Sequence, residues 1–150
     1  MSREEEYKHL KGWVKRLGTI DPPTGLLNRY GWLTLAVRHL KRAAYAHQRV
    51  GVILAEVDSF QKLTNDLGFE AGEEALQHIT EILETHLRIG DLLGRWLEQA
   101  FIVLLPGETD GLRVVCERMR KAVETTPLET SKQRLSLTLT LGAASRVVQT

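Results

Sequence analysis

Between Arg88 and Leu105 the chain reads RIGDLLGRWLEQAFIVLL, a short apolar strand, a tight reversal at Leu97-Glu98-Gln99-Ala100 and a buried strand. A hairpin here, Leu92 to Trp96 with Phe101 to Leu105, commits the chain to antiparallel pairing. Val50 to Val57 is a near-continuous apolar run, as expected of a central strand buried on both faces. Leu135, Leu137, Leu139 and Leu141 alternate with Ser136, Thr138 and Thr140, which reads as a half-covered strand.

Helical periodicity fills the intervals. Asn28 is placed to cap a helix that runs to about Gln48, with Leu33, Ala36, Val37, Leu40, Ala43 and Ala44 on one face. Ser59 to Leu67 fits a short helix. Ala71, Ala75, Leu76, Ile79, Ile82, Leu83 and Leu87 mark a longer one, and Leu112, Val115, Cys116, Met119, Ala122 and Val123 another. Asp21-Pro22-Pro23-Thr24-Gly25 is a turn signal stiffened by two prolines. Ahead of it, Ser2 to Leu17 reads as a helix with Tyr7, Leu10, Val14 and Leu17 at heptad-like spacing. Either that helix packs on its own domain, or it ends a coiled coil that joins an upstream sensor. The order, a helix and then β-α-α-β-β-α-β, predicts an α/β (α+β) domain with a mainly antiparallel central sheet flanked by helices.

Bulk properties narrow the function. The 150 residues suit one domain able to bury a real core. A net charge of +1 argues against a dedicated nucleic-acid surface. No run is long enough to span a bilayer, and the start lacks a signal-peptide pattern. The single cysteine, Cys116, lies in an apolar helical stripe and reads as a small core residue, which fits a reducing cytoplasm. The five histidines show no metal-ligand spacing with Cys116, so no metal is expected from them.

Three segments together, DPPTGLLNR (21–29), ILAEVDSFQKLTNDLGFEAGEEAL (53–76) and the hairpin, resemble the GGDEF family of bacterial diguanylate cyclases. The resemblance covers roughly residues 21 to 145. It implies a ferredoxin-like, palm-type core over 21–150, preceded by a linker or signalling helix over 1–20. It also implies a bacterial cytoplasmic setting. Family members carry a further helix and strand after the strand ending near Ala144; this chain ends at Thr150.

The family's chemistry joins two GTP molecules. It needs divalent metal at the attacked phosphate, carboxylates to hold that metal, and a glycine turn that lets backbone approach phosphate. Against this pattern the signature turn is rewritten as Leu97-Glu98-Gln99-Ala100-Phe101. Leu97 and Glu98 stand where the glycines would be, Gln99 where a metal-binding acid would be, and Ala100 where the next acid would be. Glu56 matches the first metal-binding aspartate with one extra methylene. Glu56 and Asp58, two apart near a strand end, point to one face. Thr64 and Glu73 stand at the base-reading positions, and Gln61 at a lysine near the phosphates. Phe60, Gly68, Gly72 and Phe101 keep the family's structural residues. These changes predict a catalytically inactive domain without a cofactor, magnesium entering only if some nucleotide binding persists.

One family motif survives. Arg88-Ile89-Gly90-Asp91 fits the RxxD motif of the inhibitory site, which in active cyclases binds cyclic di-GMP. An arginine fork can reach a guanine edge or a phosphate, and an aspartate can accept from guanine N–H groups. The plain alternative is that Arg88 favours a helix C-terminus and Asp91 shapes a turn. Arg113, Arg118 and Arg120 lie on the following helix, and Arg118 and Arg120 are the accessory cations to test. Three functions follow, in order. The first is a cyclic di-GMP receptor through Arg88 and Asp91. The second is an interaction or dimerisation module without a ligand, docking an upstream sensor, a second copy or a protein partner through the N-terminal helix and a Trp96-Leu97 tip. The third is a divergent nucleotide-binding or weakly hydrolytic site around Glu56, Asp58 and Glu98.

Overall fold

The sheet is built outward from the apolar run around Ile53 in the computed structural model, which describes residues 2–6 and 18–149. Helix α1 (Arg29–Tyr45) precedes β1 (Arg49–Val57). Then come α2 (Phe60–Leu67), α3 (Phe69–Thr85), β2 (Leu92–Leu97), β3 (Ala100–Pro106), α4 (Thr109–Thr125), a two-strand clip of β4 (Leu128–Glu129) and β5 (Arg134–Leu135), and β6 (Leu139–Val147). The strand order is β2-β3-β1-β6, with every neighbour antiparallel. β1 and β2 are therefore parallel across β3, and β3 and β6 are parallel across β1. Each such pair is bridged by helix, which makes two interleaved split β-α-β units, the ferredoxin-like arrangement.

The two faces are covered unequally. On one, Ile53, Ala55 and Val57 of β1 and Phe101 and Val103 of β3 pack with Ile79 and Leu83 of α3 and Met119 and Val123 of α4. Each fully buried large side chain of this kind contributes ~1.5–3 kcal/mol by leaving water. On the other, α1 covers a smaller cluster of Trp32, Ala36, Leu92, Ile102 and Leu104.

The hairpin, the three long helices and the short helix at Phe60 fall where the patterns predict them. Asn28 caps α1, its Oδ1 accepting from the Gly31 N–H at 2.8 Å. Four expectations are corrected. α1 stops at Tyr45, short of Gln48, and turns into β1 through His47 in the left-handed region (φ 54). The buried stripe of α1 is anchored by Trp32, while Leu33 and Val37 stay exposed. β1 is an inner strand, yet Leu54 is 40% exposed, because α1 lies chiefly over β2 and reaches β1 only around Val50 and Val52, which leaves that face open at Leu54. The last strand begins at Leu139 and reaches Val147. Leu135 belongs to the β4–β5 clip, so the alternation between Leu135 and Leu141 crosses two elements.

At the N-terminus, residues 3–6 are helical and carry a capping box. The Ser2 hydroxyl accepts from the Glu5 N–H at 3.2 Å, and the Ser2 N–H donates to Glu5 Oε2 at 3.1 Å. The rest of the expected helix, with Tyr7, Leu10, Val14 and Leu17, lies outside the described residues. Cys116 is half-buried beside the main core, and burial pushes its thiol pKa up, as a packing role requires. Among the described residues no helix is long and apolar enough to cross a membrane.

Candidate functional site

The β2–β3 reversal is a two-residue turn. Leu97 pairs with Ala100, leaving Glu98 and Gln99 as its central residues, and a register shift falls between Arg95 and Leu97. Neither Glu98 nor Gln99 takes a positive φ, so side chains fit where a left-handed turn would call for glycine.

Arg95 holds this turn in place. Its Nη1 donates to Asp21 Oδ2 at 2.8 Å, its Nε donates to the Leu97 carbonyl at 3.1 Å, and its Nη2 donates to the Glu98 carbonyl. Asp21 is in turn bound by Thr24 through both its N–H and its hydroxyl. The proline-stiffened segment from Asp21 to Leu27 is thus docked on β2, where the Arg95 N–H also donates to the Leu27 carbonyl at 2.8 Å. The ion pair is largely shielded, with side-chain exposures of 12% and 17%. Arg95→Met is expected to cost about 2 kcal/mol, because it leaves one carboxylate and two carbonyls short of a donor. Urea denaturation measures the loss, and an unchanged midpoint would contradict this account.

Glu56 and Asp58 share a face, as their spacing predicts, but they are drawn apart. Asp58 turns toward β6, where its Oδ2 accepts from the Thr138 hydroxyl at 2.7 Å and its Oδ1 from the Thr140 hydroxyl at 2.6 Å. Glu56 turns toward the hairpin, and its Oε1 accepts from Gln99 Nε2 at 3.3 Å. An amide donor therefore faces the carboxylate at the place where a cation would have to bind both side chains. Ala100 is buried and offers no ligand atom. This donor set does not fit magnesium, which needs hard oxygens converging on one point. Among the described residues no three His, Cys, Asp or Glu side chains converge to hold a metal.

Of the two positions expected to read a base, Thr64 is turned to structural use. The Thr64 hydroxyl donates to the Gln61 carbonyl at 3.0 Å, within its own helix. The Thr64 methyl lies so close to Gly72 that a Cβ there would approach it to 2.6 Å, so Gly72 serves the α2–α3 crossing. Glu73 is half-buried on α3. Gly68 joins the two helices at φ 96, and Ser59, just after Asp58, is held in the left-handed region at φ 55.

The second site is the turn between α3 and β2. The Arg88 N–H donates to Asp91 Oδ2 at 2.9 Å, and the Asp91 N–H donates to the Arg88 carbonyl at 3.0 Å. Gly90 takes φ 102, which explains a glycine at that place. The closed turn projects Arg88 and Ile89 into solvent. Beside it lies a cleft of about 180 Å³ whose lining includes Gly90 together with His39, Arg42 and Gln48.

Sequence reasoning did not single out His39 or Arg42. They precede the turn by some fifty positions, and only the packing of α1 on β2 and β3 brings them near. Of the expected accessory cations, Arg120 is committed within its own helix to Glu117 and Glu124, which lowers the Glu117 pKa and raises that of the arginine. Arg113 and Arg118 are exposed on α4, and neither lines the cleft. Trp96 is not a free tip. Its ring meets Trp32 edge-on at 5.8 Å, and Arg29 stacks over it at 4.1 Å. Only Leu97 of the expected Trp-Leu tip is exposed.

A ferredoxin-like sheet with acidic residues at the end of β1, facing a β2–β3 hairpin turn, defines a palm-type, nucleotidyl-cyclase-like domain. The family model for the diguanylate cyclase GGDEF domain matches residues 18–149, and the chain belongs to the GGDEF family. It is 32% identical over 140 residues to diguanylate cyclase DgcP of Pseudomonas aeruginosa, covering 91% of this chain and 20% of DgcP. It is 29% identical over 133 residues to the response regulator PleD of Caulobacter vibrioides, covering 86% of this chain and 29% of PleD. The chain thus spans less than a third of the length of these relatives.

Among solved structures, diguanylate cyclase SiaD of Pseudomonas aeruginosa, in complex with its activator SiaC, superposes with a TM-score of 0.82 at 29% identity. That match covers 98% of this chain and 57% of SiaD. The coiled coil and GGDEF domain of DgcB from Caulobacter crescentus, in complex with cyclic di-GMP, shares the fold with a TM-score of 0.83 at 20% identity, over 95% of this chain and 76% of that one.

Proposed function

We propose that this domain is a catalytically inactive GGDEF module that binds cyclic di-GMP through Arg88 and Asp91. The observation that carries the reading is the contrast between its two sites. At the hairpin, Gln99 donates to Glu56 and Asp58 is occupied by two threonines, so side chains fill the roles that a metal and its triphosphate would need. At the α3–β2 turn, Asp91 organises the backbone while the Arg88 guanidinium stands in solvent beside a cleft edged by Arg42. Cationic forks around a preformed turn suit a ligand with two phosphates and guanine edges. That DgcB is known in complex with cyclic di-GMP supports the choice of ligand.

A titration of the 150-residue chain with cyclic di-GMP beside one with GTP and magnesium tests both halves. Micromolar-range binding of the first is expected, with no cyclic dinucleotide formed from GTP. Product made above background would end the inactive reading, and no heat from cyclic di-GMP at high concentration would end the receptor reading.

A second reading, a ligand-free interaction module, draws support from SiaD, which binds an activator protein, and from the exposed Leu97 at the hairpin tip. Under that reading the chain binds a protein partner whether or not Arg88 is present.

A further inference from the structure

Residues 22–55 hold five arginines and lysines and no aspartate or glutamate, in a chain whose net charge is only +1. Three of the five, Arg38, Lys41 and Arg42, fall at i, i+3 and i+4 on the C-terminal half of α1, and Tyr45 continues that row. All four are exposed, because the opposite side of the helix is spent on Trp32, Ala36, Ala43 and Ala44 in the core. The turn between α3 and β2 stands beside this row. Gly90 lines the same cleft as His39, Arg42 and Gln48, so the exposed Arg88 and Ile89 extend the basic patch onto a second element.

The cations of this patch are unmatched. Elsewhere Arg95 pairs with Asp21, Arg120 with Glu117 and Glu124, and Arg134 with Glu129; among the described residues no carboxylate pairs with Arg38, Lys41, Arg42 or Arg88. Like charges at i, i+4 weaken a helix, and α1 has no acid to offset Arg38 against Arg42. The patch also carries the two most exposed large apolar side chains among the described residues, Tyr45 at 89% and Ile89 at 107%.

We infer that this patch is a peripheral contact for an anionic lipid surface, with Arg38, Lys41, Arg42 and Arg88 over the headgroups and Tyr45 and Ile89 reaching into the interface. Charge complementarity comes first: a cluster of four or more Lys and Arg on an amphipathic helix is drawn to an anionic leaflet. The apolar pair then selects among polyanions. An aliphatic side chain standing clear beside its cations has no part in gripping a phosphate backbone, but it gains by entering the acyl boundary of a bilayer, and tyrosine favours the headgroup level. A fluid surface also leaves long side chains the freedom that a protein partner would make them surrender. Each cation near the leaflet strengthens binding about five-fold, so four give about a several-hundred-fold gain, strong enough to measure and weak enough to reverse. The apolar face of α1 stays in the core, so the domain rests on the bilayer without entering it. Arg42 and Arg88 also border the site proposed for cyclic di-GMP, so the surface is tested with variants outside it.

Co-sedimentation of the 150-residue chain with phospholipid vesicles reads the contact directly. The expected result is binding to vesicles that contain phosphatidylglycerol and none to pure phosphatidylcholine vesicles. Release is expected at about 1 M salt, where the screening length falls to about 3 Å. The double variant Arg38→Gln/Lys41→Gln should bind about 25-fold more weakly, two cations at about five-fold each, with an unchanged circular dichroism spectrum. Ile89→Ser should also weaken binding but leave its salt dependence as in wild type, because it removes insertion and no charge. A wild-type chain that stays in the supernatant with anionic vesicles overturns the proposal, as does equal binding to both kinds of vesicle. So does a double glutamine variant that binds as wild type. A DNA duplex bound more tightly than anionic vesicles at the same salt assigns the patch to nucleic acid and overturns it too.

Discussion

Replacing Arg88 with alanine is expected to abolish cyclic di-GMP binding in a titration where the wild-type chain binds in the micromolar range. The fold should not change, because the Arg88 side chain is exposed and the turn is held by its backbone and Asp91. What disappears is a charge-assisted fork. Losing about 3 kcal/mol of such contacts weakens affinity more than 100-fold, which takes a micromolar ligand beyond practical detection. Asp91→Asn separates structure from recognition. Its amide oxygen can still accept from the Arg88 N–H, yet its amide nitrogen meets guanine donors with another donor. The expected outcome is a native melting curve with strongly weakened binding. If both variants bind as tightly as wild type, the ligand sits elsewhere and the receptor assignment to this turn fails.

Trp32→Ala carries the largest expected loss of stability, ~3–5 kcal/mol, as for other large-to-small changes in a packed site. Trp32 is almost fully buried, its Nε1 donates to the Leu92 carbonyl at 2.9 Å, and its ring meets Trp96 edge-on. It also rests against Gly94, where a Cβ would come within 2.7 Å of the ring. One side chain thus joins α1 to β2 and supports the strand that enters the signature turn. A loss of this size is a large fraction of the ~5–15 kcal/mol that holds a typical domain. Trp32→Phe keeps much of the apolar area and removes the indole donor to the Leu92 carbonyl, so about 1–2 kcal/mol is expected. Urea midpoints rank the three proteins; an alanine variant within 1 kcal/mol of wild type would remove Trp32 from this role.

Much of the architecture was legible before any coordinates. The hairpin, the run through Ile53 and the helical stripes of α3 and α4 each bury one consistent set of residues, so periodicity reports them faithfully. Periodicity failed where burial was partial or shared. Leu54 belongs to an apolar run but faces an open part of the sheet. Trp32 anchors α1 from a position outside the expected stripe of Leu33, Ala36, Val37, Leu40, Ala43 and Ala44. Leu135 alternates in phase with a strand it does not join. The candidate site shows the same division. Arg88 and Asp91 are local in sequence, so their turn could be foreseen. Asp58 with Thr138 and Thr140 could not, nor Glu56 with Gln99, nor Arg42 beside Gly90, because each pairing spans dozens of residues.

The family, the order of helices and strands, and the side chains at the signature turn could all be read from residue type, local spacing and motif. What those side chains touch came from the fold alone: Arg95 locks the turn to Asp21, and Glu56 and Asp58 face opposite neighbours. Such contacts arise when strands far apart in the chain take their register, and register is set by the packing of the whole sheet rather than by any short segment.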